Sequence, residues 1–231
     1  MIKILKAGDT NKFGYLIEHD AGHVTTSKGE ILNEEFKIKP NEPILINCVL
    51  QKWGVKNKNG RIYPKDILVP QINEYEKIVN SNNGIGESDH PDSSIISLAN
   101  ISHLITKMWW GKGDQENVLF GQLKLIVSPG FLKMGIVSVV GDKILLYLQN
   151  NIKLGISSRG VGSLKEISGE NIVQSDFELI GFDLVATPST PGAYLFPNVV
   201  DIESKLKENI YTNKTTLKEE KIIKTLDKYL L

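Results

Sequence analysis

Leu154-Gly155-Ile156-Ser157-Ser158-Arg159-Gly160-Val161-Gly162 places two adjacent hydroxyls in an apolar run that reads as strand, among small residues and beside an arginine. A serine hydroxyl is a poor nucleophile until a base takes its proton, so this stretch does chemistry only if a histidine and an acid converge on it. Neighbouring strand residues point to opposite faces, so only one of the two serines can meet such a histidine. The partners have to come from elsewhere in the chain.

Downstream, Glu170-Asn171 marks a turn, and residues 172–175 and 177–186 read as strands. The second strand stops at Thr187-Pro188-Ser189-Thr190-Pro191-Gly192-Ala193, whose prolines and glycine interrupt any ladder. Alternation predicts Phe177, Leu179, Gly181, Asp183 and Val185 on one face. An aspartate among apolar neighbours needs a partner or is costly to bury; its plainer role is an exposed residue on a half-wet sheet. Upstream, residues 131–140 are apolar and of ambiguous period. The spacing of Ile144, Leu145, Leu148 and Ile152 predicts a helix over 143–152.

Asn100 to Trp110 reads as a strand closed by Gly111-Lys112-Gly113-Asp114, with residues 118–127 as its hairpin partner. His103 is in phase with Ile101 and Ile105, which favours a core histidine, and Trp109-Trp110 sends one ring to each face. Gly84-Ile85-Gly86-Glu87-Ser88-Asp89-His90-Pro91-Asp92 puts a second histidine between acids and a proline. A histidine in a polar loop is most often a solvated side chain, but Pro91 restricts His90 to extended backbone. Earlier still, Asn59-Gly60 is a turn signal, Tyr63-Pro64 forces extended chain, and residues 65–81 carry apolar side chains at helical spacing. Residues 13–17 and 44–50 read as strands, separated by a break at 39–43.

With 231 residues, the chain is long enough for one domain of about 1–200 and a lysine- and glutamate-rich helical tail, 201–231, whose Leu217, Ile222, Ile223, Leu226 and Leu230 form one stripe. Lys plus Arg and Asp plus Glu number 27 each, so a nucleic-acid partner held by bulk charge is disfavoured. Cys48 is the one cysteine, in an apolar run, which leaves neither a disulfide frame nor a cysteine zinc site within the chain. No apolar run approaches the roughly 20 residues that cross a bilayer. The amino end lacks a secretory signal. The expectation is an intracellular, soluble protein without membrane contact and without a metal or other cofactor.

Histidine, serine and aspartate in this order match none of the three familiar triad orders, and there is no Gly-x-Ser-x-Gly elbow. The chain does resemble the prohead core proteases of tailed bacteriophages and, more distantly, the herpesvirus assemblin proteases. The resemblance rests on Asn59-Gly60-Arg61-Ile62-Tyr63-Pro64, Asp89-His90-Pro91, Ser102-His103 with Trp109-Trp110, the Gly155 to Gly162 run, and Phe182-Asp183-Leu184-Val185 leading to Pro188-Ser189. It implies an α+β, β-rich fold, an assemblin-like β-barrel flanked by helices. The implied activity is a serine endopeptidase cleaving scaffold and major capsid protein inside the immature prohead in the host cytoplasm.

By position, the resemblance makes His90 the base and Ser158 the nucleophile, because the family's serine is followed two residues later by glycine, here Gly160; Ser157 is the alternative. Asp183 falls where the third member would lie, with Glu178, Asp176 and His103 as alternatives. Arg159, Gly160 and Gly192 are the candidates for oxyanion and substrate contacts. Resemblance also implies substrates with glutamate before the cut and leucine or isoleucine two residues earlier. Leu206-Lys207-Glu208 and Leu217-Lys218-Glu219 have that form, which makes self-trimming in the tail a hypothesis. The rival reading is a capsid or scaffold assembly protein that keeps the protease fold without turnover. Neither oligomeric state nor true substrates follow from the sequence.

Overall fold

In chain order the elements are β1 (Lys12–Ile17), β2 (Leu45–Lys52), β3 (Arg61–Ile62), α1 (Lys65–Asn80), β4 (Ile85–Glu87), β5 (Ile101–Trp110), β6 (Val118–Leu125), α2 (Pro129–Met134), α3 (Val140–Gln149), β7 (Gly155–Ile167), β8 (Glu170–Val173), β9 (Glu178–Val185) and β10 (Leu195–Phe196). They belong to a computed structural model that describes residues 4–5, 12–17, 42–91, 93–197 and 202–203. Contacts divide the chain into two units, Met1–Asn198 and Val199–Leu231. All the elements named lie in the first; the tail helix expected over 217–231 and both Leu-Lys-Glu sequences fall outside the described residues. No described helix is long and apolar enough to cross a membrane.

Among the described residues the strands form two five-stranded sheets. One runs β1-β7-β8-β3 with β9 also paired to β7; the other runs β10-β2-β6-β5-β4. Strand β7 is long enough, at 13 residues, to pair with β9 along its first half, with β1 along its second and with β8 at its end. The sheet edges meet at isolated bridges, Ser88 to Leu184 and Gly155 to Tyr194. The architecture is thus mixed α+β and sheet-rich; among the described residues the ladders do not close into one continuous barrel.

Ile46, Leu50, Ile105, Leu119 and Leu123 of the second sheet and Ile156, Leu164, Phe182 and Leu184 of the first are buried in one core. Helices α1, through Leu68, Ile72 and Tyr75, and α3, through Ile144, Leu145 and Leu148, bury their apolar faces in it. Burial of such side chains is the main favourable term in folding. Cys48 is part of that packing: its thiol contacts the Gly121 carbonyl and burial pushes its pKa far up, so it is an inert core residue.

The Asn59-Gly60 turn forms with Gly60 at φ 76°. The Asn57 side chain accepts the backbone N–H groups of Asn59 and Arg61, both at 3.0 Å, and the buried Arg61 guanidinium donates to the Leu5 carbonyl. That motif therefore acts as a loop frame that leads Tyr63-Pro64 into α1. The helix expected over 143–152 is shifted upstream to Val140–Gln149. Its Asp142 collects the backbone N–H groups of Ser128, Ser138 and Val139 and so fixes the segment that could not be assigned from periodicity. Trp110 packs against the core, and Trp109 stacks on Phe120 at 5.9 Å.

Candidate active site

His90 stands just beyond β4, the short edge strand that serves both sheets. β4 pairs antiparallel with β5, while beyond its end Ser88 bridges Leu184 of β9 and the Asp89 N–H donates to the Leu184 carbonyl at 2.8 Å. Asp89 turns the chain at φ 63°, a conformation side chains other than glycine seldom adopt. The turn delivers His90 to Asp183, with Nδ1 2.7 Å from Oδ2 and both side chains only 1% exposed. A carboxylate can only accept, so Nδ1 carries the proton and Nε2 of the neutral ring is the basic nitrogen.

Asp183 is held from three sides. The Glu87 N–H donates to Oδ1 at 3.1 Å, and Arg159 reaches both oxygens, Nε to Oδ2 at 2.9 Å and Nη2 to Oδ1 at 3.2 Å. The same Nη2 lies 2.6 Å from Glu87 Oε2, with both side chains fully buried. Arg159 Nη1 also donates to the Ser93 carbonyl at 2.7 Å, and Glu87 Oε1 accepts the Ser97 N–H at 3.1 Å. The cluster thereby anchors the segment that follows His90. Arg159 was expected to face an oxyanion; in the structure its guanidinium is committed to two carboxylates instead.

The two serines separate as adjacent strand residues must. In the β7–β9 ladder Ser157 lies directly opposite Asp183, so their side chains share a face, while Ser158 lies opposite Phe182 and points the other way. Ser157 Oγ is buried and has no hydrogen-bond partner among the described residues. Ser158 Oγ accepts from Gln51 Nε2 at 2.8 Å, and Gln51 Oε1 in turn accepts from the Thr190 hydroxyl at 2.6 Å. The sequence preference for Ser158 thus meets an arrangement in which Ser158 braces β7 to β2 and to the 187–193 turn, away from the His90–Asp183 face.

The other candidates are placed elsewhere. Asp176 accepts from the backbone and hydroxyl of Ser163, and Glu178 is an exposed residue opposite Val161. His103 is fully buried, its Nδ1 2.9 Å from Ser102 Oγ, and burial lowers its pKa to about 4 against a smaller opposing pull from Asp183 and the Phe182 carbonyl. Its ring occupies the space a Cβ on Gly86 would need, 2.3 Å from the ring carbon Cε1. Gly160 leaves room for Phe177, and Gly192 turns at φ 81° near the Lys52 ammonium. The strict alternation expected in β9 is broken by a bulge: Gly181 pairs with Arg159 but Leu179 with Gly160, which leaves Ile180 unmatched. Phe177 consequently packs on Gly160's side and Asp183 on Arg159's.

Glu87 and Gln51 were not singled out in the sequence, and Thr190 only as part of the turn weighed for backbone oxyanion donors. Of the first two, only Glu87 left a trace there, as an acid in a short run of glycine and isoleucine. A cavity of ≈ 360 Å³ opens beside the site, lined among others by Asp89, Asn100, Lys143, Tyr147, Leu184 and Ala186. Its walls therefore continue directly from His90 and Asp183, each one residue away.

A curated relative, the prohead core protein protease of Enterobacteria phage T4, is 30% identical over 170 residues, covering 72% of this chain and 74% of its own length. A solved structure, that of the bacteriophage T4 capsid assembly protease, superposes with a TM-score of 0.60 at 28% identity, covering 77% of this chain and 100% of that one. The family model described as prohead core protein serine protease matches residues 19–205, which include Glu87, His90, His103, Ser157, Ser158 and Asp183. The chain is therefore a member of the bacteriophage prohead core protease family.

Proposed function

We propose that the chain is a serine endopeptidase with Ser157 as nucleophile, His90 as general base and Asp183 as the orienting acid. The single observation that carries this reading is the ladder position of Ser157 opposite the carboxylate that holds His90 Nδ1 at 2.7 Å. Ser157 Oγ attacks the scissile carbonyl as its proton passes to His90 Nε2; Asp183 stabilises the imidazolium. The C–N bond then breaks, His90 returns the proton to the leaving amine, and water repeats the sequence on the acyl-enzyme. A buried hydroxyl with no hydrogen bond is costly to keep and fits a reacting group. Ser157 and His90 are covered in this structure, so substrate binding displaces part of that cover.

The substrates in this reading are scaffold and major capsid protein inside the prohead, cut after glutamate with leucine or isoleucine two residues before. The same preference would remove part of the tail after Glu208 or Glu219, leaving residues 1–208 or 1–219, a protease domain of about 1–200 with the start of the tail. The sheets joined by edge bridges are then an open version of the assemblin-like barrel. The deciding experiment compares Ser157→Ala and Ser158→Ala in the full-length chain, by cleavage of co-expressed scaffold and by labelling with a fluorophosphonate followed by peptide mapping. Ser157→Ala should lose about 10⁴-fold or more in turnover and all labelling. Ser158→Ala should still cleave. Label on Ser158, or cleavage by Ser157→Ala at the parent rate, would overturn the assignment.

A further inference from the structure

We infer that Arg159 and Glu87 are positioning residues that set the charge state of His90, acting as an opposed pair on the pH dependence of proton abstraction. The inference rests on the serine protease reading above. It starts from a charge count in a space closed to water. Glu87 and Arg159 are fully buried, Asp183 and His90 nearly so. Asp183 from β9 meets His90 directly, and the ionisable groups gathered around that carboxylate are Arg159 from β7, Glu87 from β4, whose amide also meets Asp183, His103 from β5 behind Gly86, and Tyr75 from α1; Asp89, next to His90 in the chain, is exposed. Burial keeps the His103 ring neutral and the Tyr75 phenol protonated, so neither adds charge near pH 7.

Two buried carboxylates and one guanidinium remain. With a neutral His90 ring the cluster carries one net negative charge, and when the ring takes the serine proton it becomes neutral. That balance favours the imidazolium that forms during attack without protonating the ring beforehand. Without Arg159, the ring would face two uncompensated carboxylates and hold its proton to higher pH. Without Glu87, the Arg159–Asp183 pair would be neutral and the imidazolium would lose part of its support. The two changes push in opposite directions because the charges removed have opposite sign.

The geometry also separates this role from a merely structural one. Arg159 contacts both Asp183 oxygens and Glu87, so it fixes the carboxylate that meets Nδ1, and through Ser93 and Ser97 the pair anchors the segment after His90. Loss of anchoring lowers the rate at every pH. Loss of charge balance moves the pH at which the rate falls.

The test is the pH dependence of fluorophosphonate labelling from pH 5 to 9 in the full-length chain, scored by intact mass. In that reaction the serine oxygen displaces fluoride from phosphorus and its proton passes to His90. Glu87→Gln should move the acid limb of the profile down by about 1 pH unit, and Arg159→Gln should move it up by about 1–2 units. The double variant Glu87→Gln with Arg159→Gln restores one net negative charge, so its limb should return to within about half a unit of the parent. Arg159→Gln leaves two buried carboxylates without their guanidinium and is the variant most prone to unfold. Glu87→Gln and the double variant keep the inference refutable if it does. Limbs that stay in place in the folded variants, or that move in the same direction, would overturn the inference while leaving the protease reading intact. A parent chain that does not label, or that labels away from Ser157, would overturn the protease reading itself.

Discussion

Lowering the pH should destabilise this fold through one side chain, His103, before the bulk of its carboxylates is protonated. The ring is fully buried, and desolvation lowers its pKa to about 4 from an ordinary 6.5. In the unfolded chain the same ring takes up its proton near the ordinary value. The folded value being the lower, the contribution is fully present above about pH 6.5 and is lost as pH falls towards 4. Linkage between those values gives about 2 kcal/mol lost at pH 5 and about 3 kcal/mol at pH 4 and below. The assay is urea unfolding followed by tryptophan fluorescence at pH 7.5, 6 and 5, for the parent and for His103→Gln. The variant is less stable at every pH, since it leaves Ser102 without its ring partner, but it should lack the extra slope between pH 7.5 and 5. Parallel slopes, or an NMR titration of the folded protein in which the His103 ring protonates near pH 6.5, would refute the reasoning.

Gly86→Ala should be damaging out of proportion to its size: its Cβ would lie 2.2 Å from the Phe182 carbonyl and 2.3 Å from the His103 ring, forcing β4 away from β9. A loss of about 2–3 kcal/mol by urea unfolding is expected, with activity falling further because His90 hangs from β4. Unchanged stability would show that β4 has slack. Asp142→Ala removes the carboxylate that accepts from Ser128, Ser138 and Val139, at a cost of about 2–3 kcal/mol. Burial alone would raise the Asp142 pKa, but these hydrogen bonds hold it below the ordinary 3.8. The stabilisation therefore persists above about pH 4 and is lost only as pH falls through the depressed folded value; proteolysis within residues 128–139 of Asp142→Ala at pH 7 is the direct readout.

The two halves of the site were not equally legible in the sequence. Strands and helices announced themselves because their apolar residues recur at the periods that burial requires, and Pro91 and the 187–193 turn marked where regular structure stops. Pro91 beside His90 and the apolar neighbours of Asp183 drew attention to both residues, but it was the family resemblance that gave them their roles. What alternation could not provide was phase. A single unmatched residue, Ile180, sets Asp183 on the opposite side from Phe177, and only the register with β7 reveals which serine shares its face. Glu87, Gln51 and the side-chain contact of Thr190 were hidden for a different reason. Their partners Arg159 and Ser158 lie 72 residues from Glu87 and 107 from Gln51, so no local pattern connects them.

β4 belongs to one sheet by its ladder and reaches the other through Ser88 and the Glu87 amide, which meets Asp183 across 96 residues of chain. Contacts that distant in sequence close late, after each half of the molecule has formed its own pairing. The imidazole and its acid therefore meet only when maturation of the whole tertiary structure is complete. If the proposed triad is right, a partly folded copy lacks the pair that would activate the serine, and the onset of cutting follows the completion of the fold.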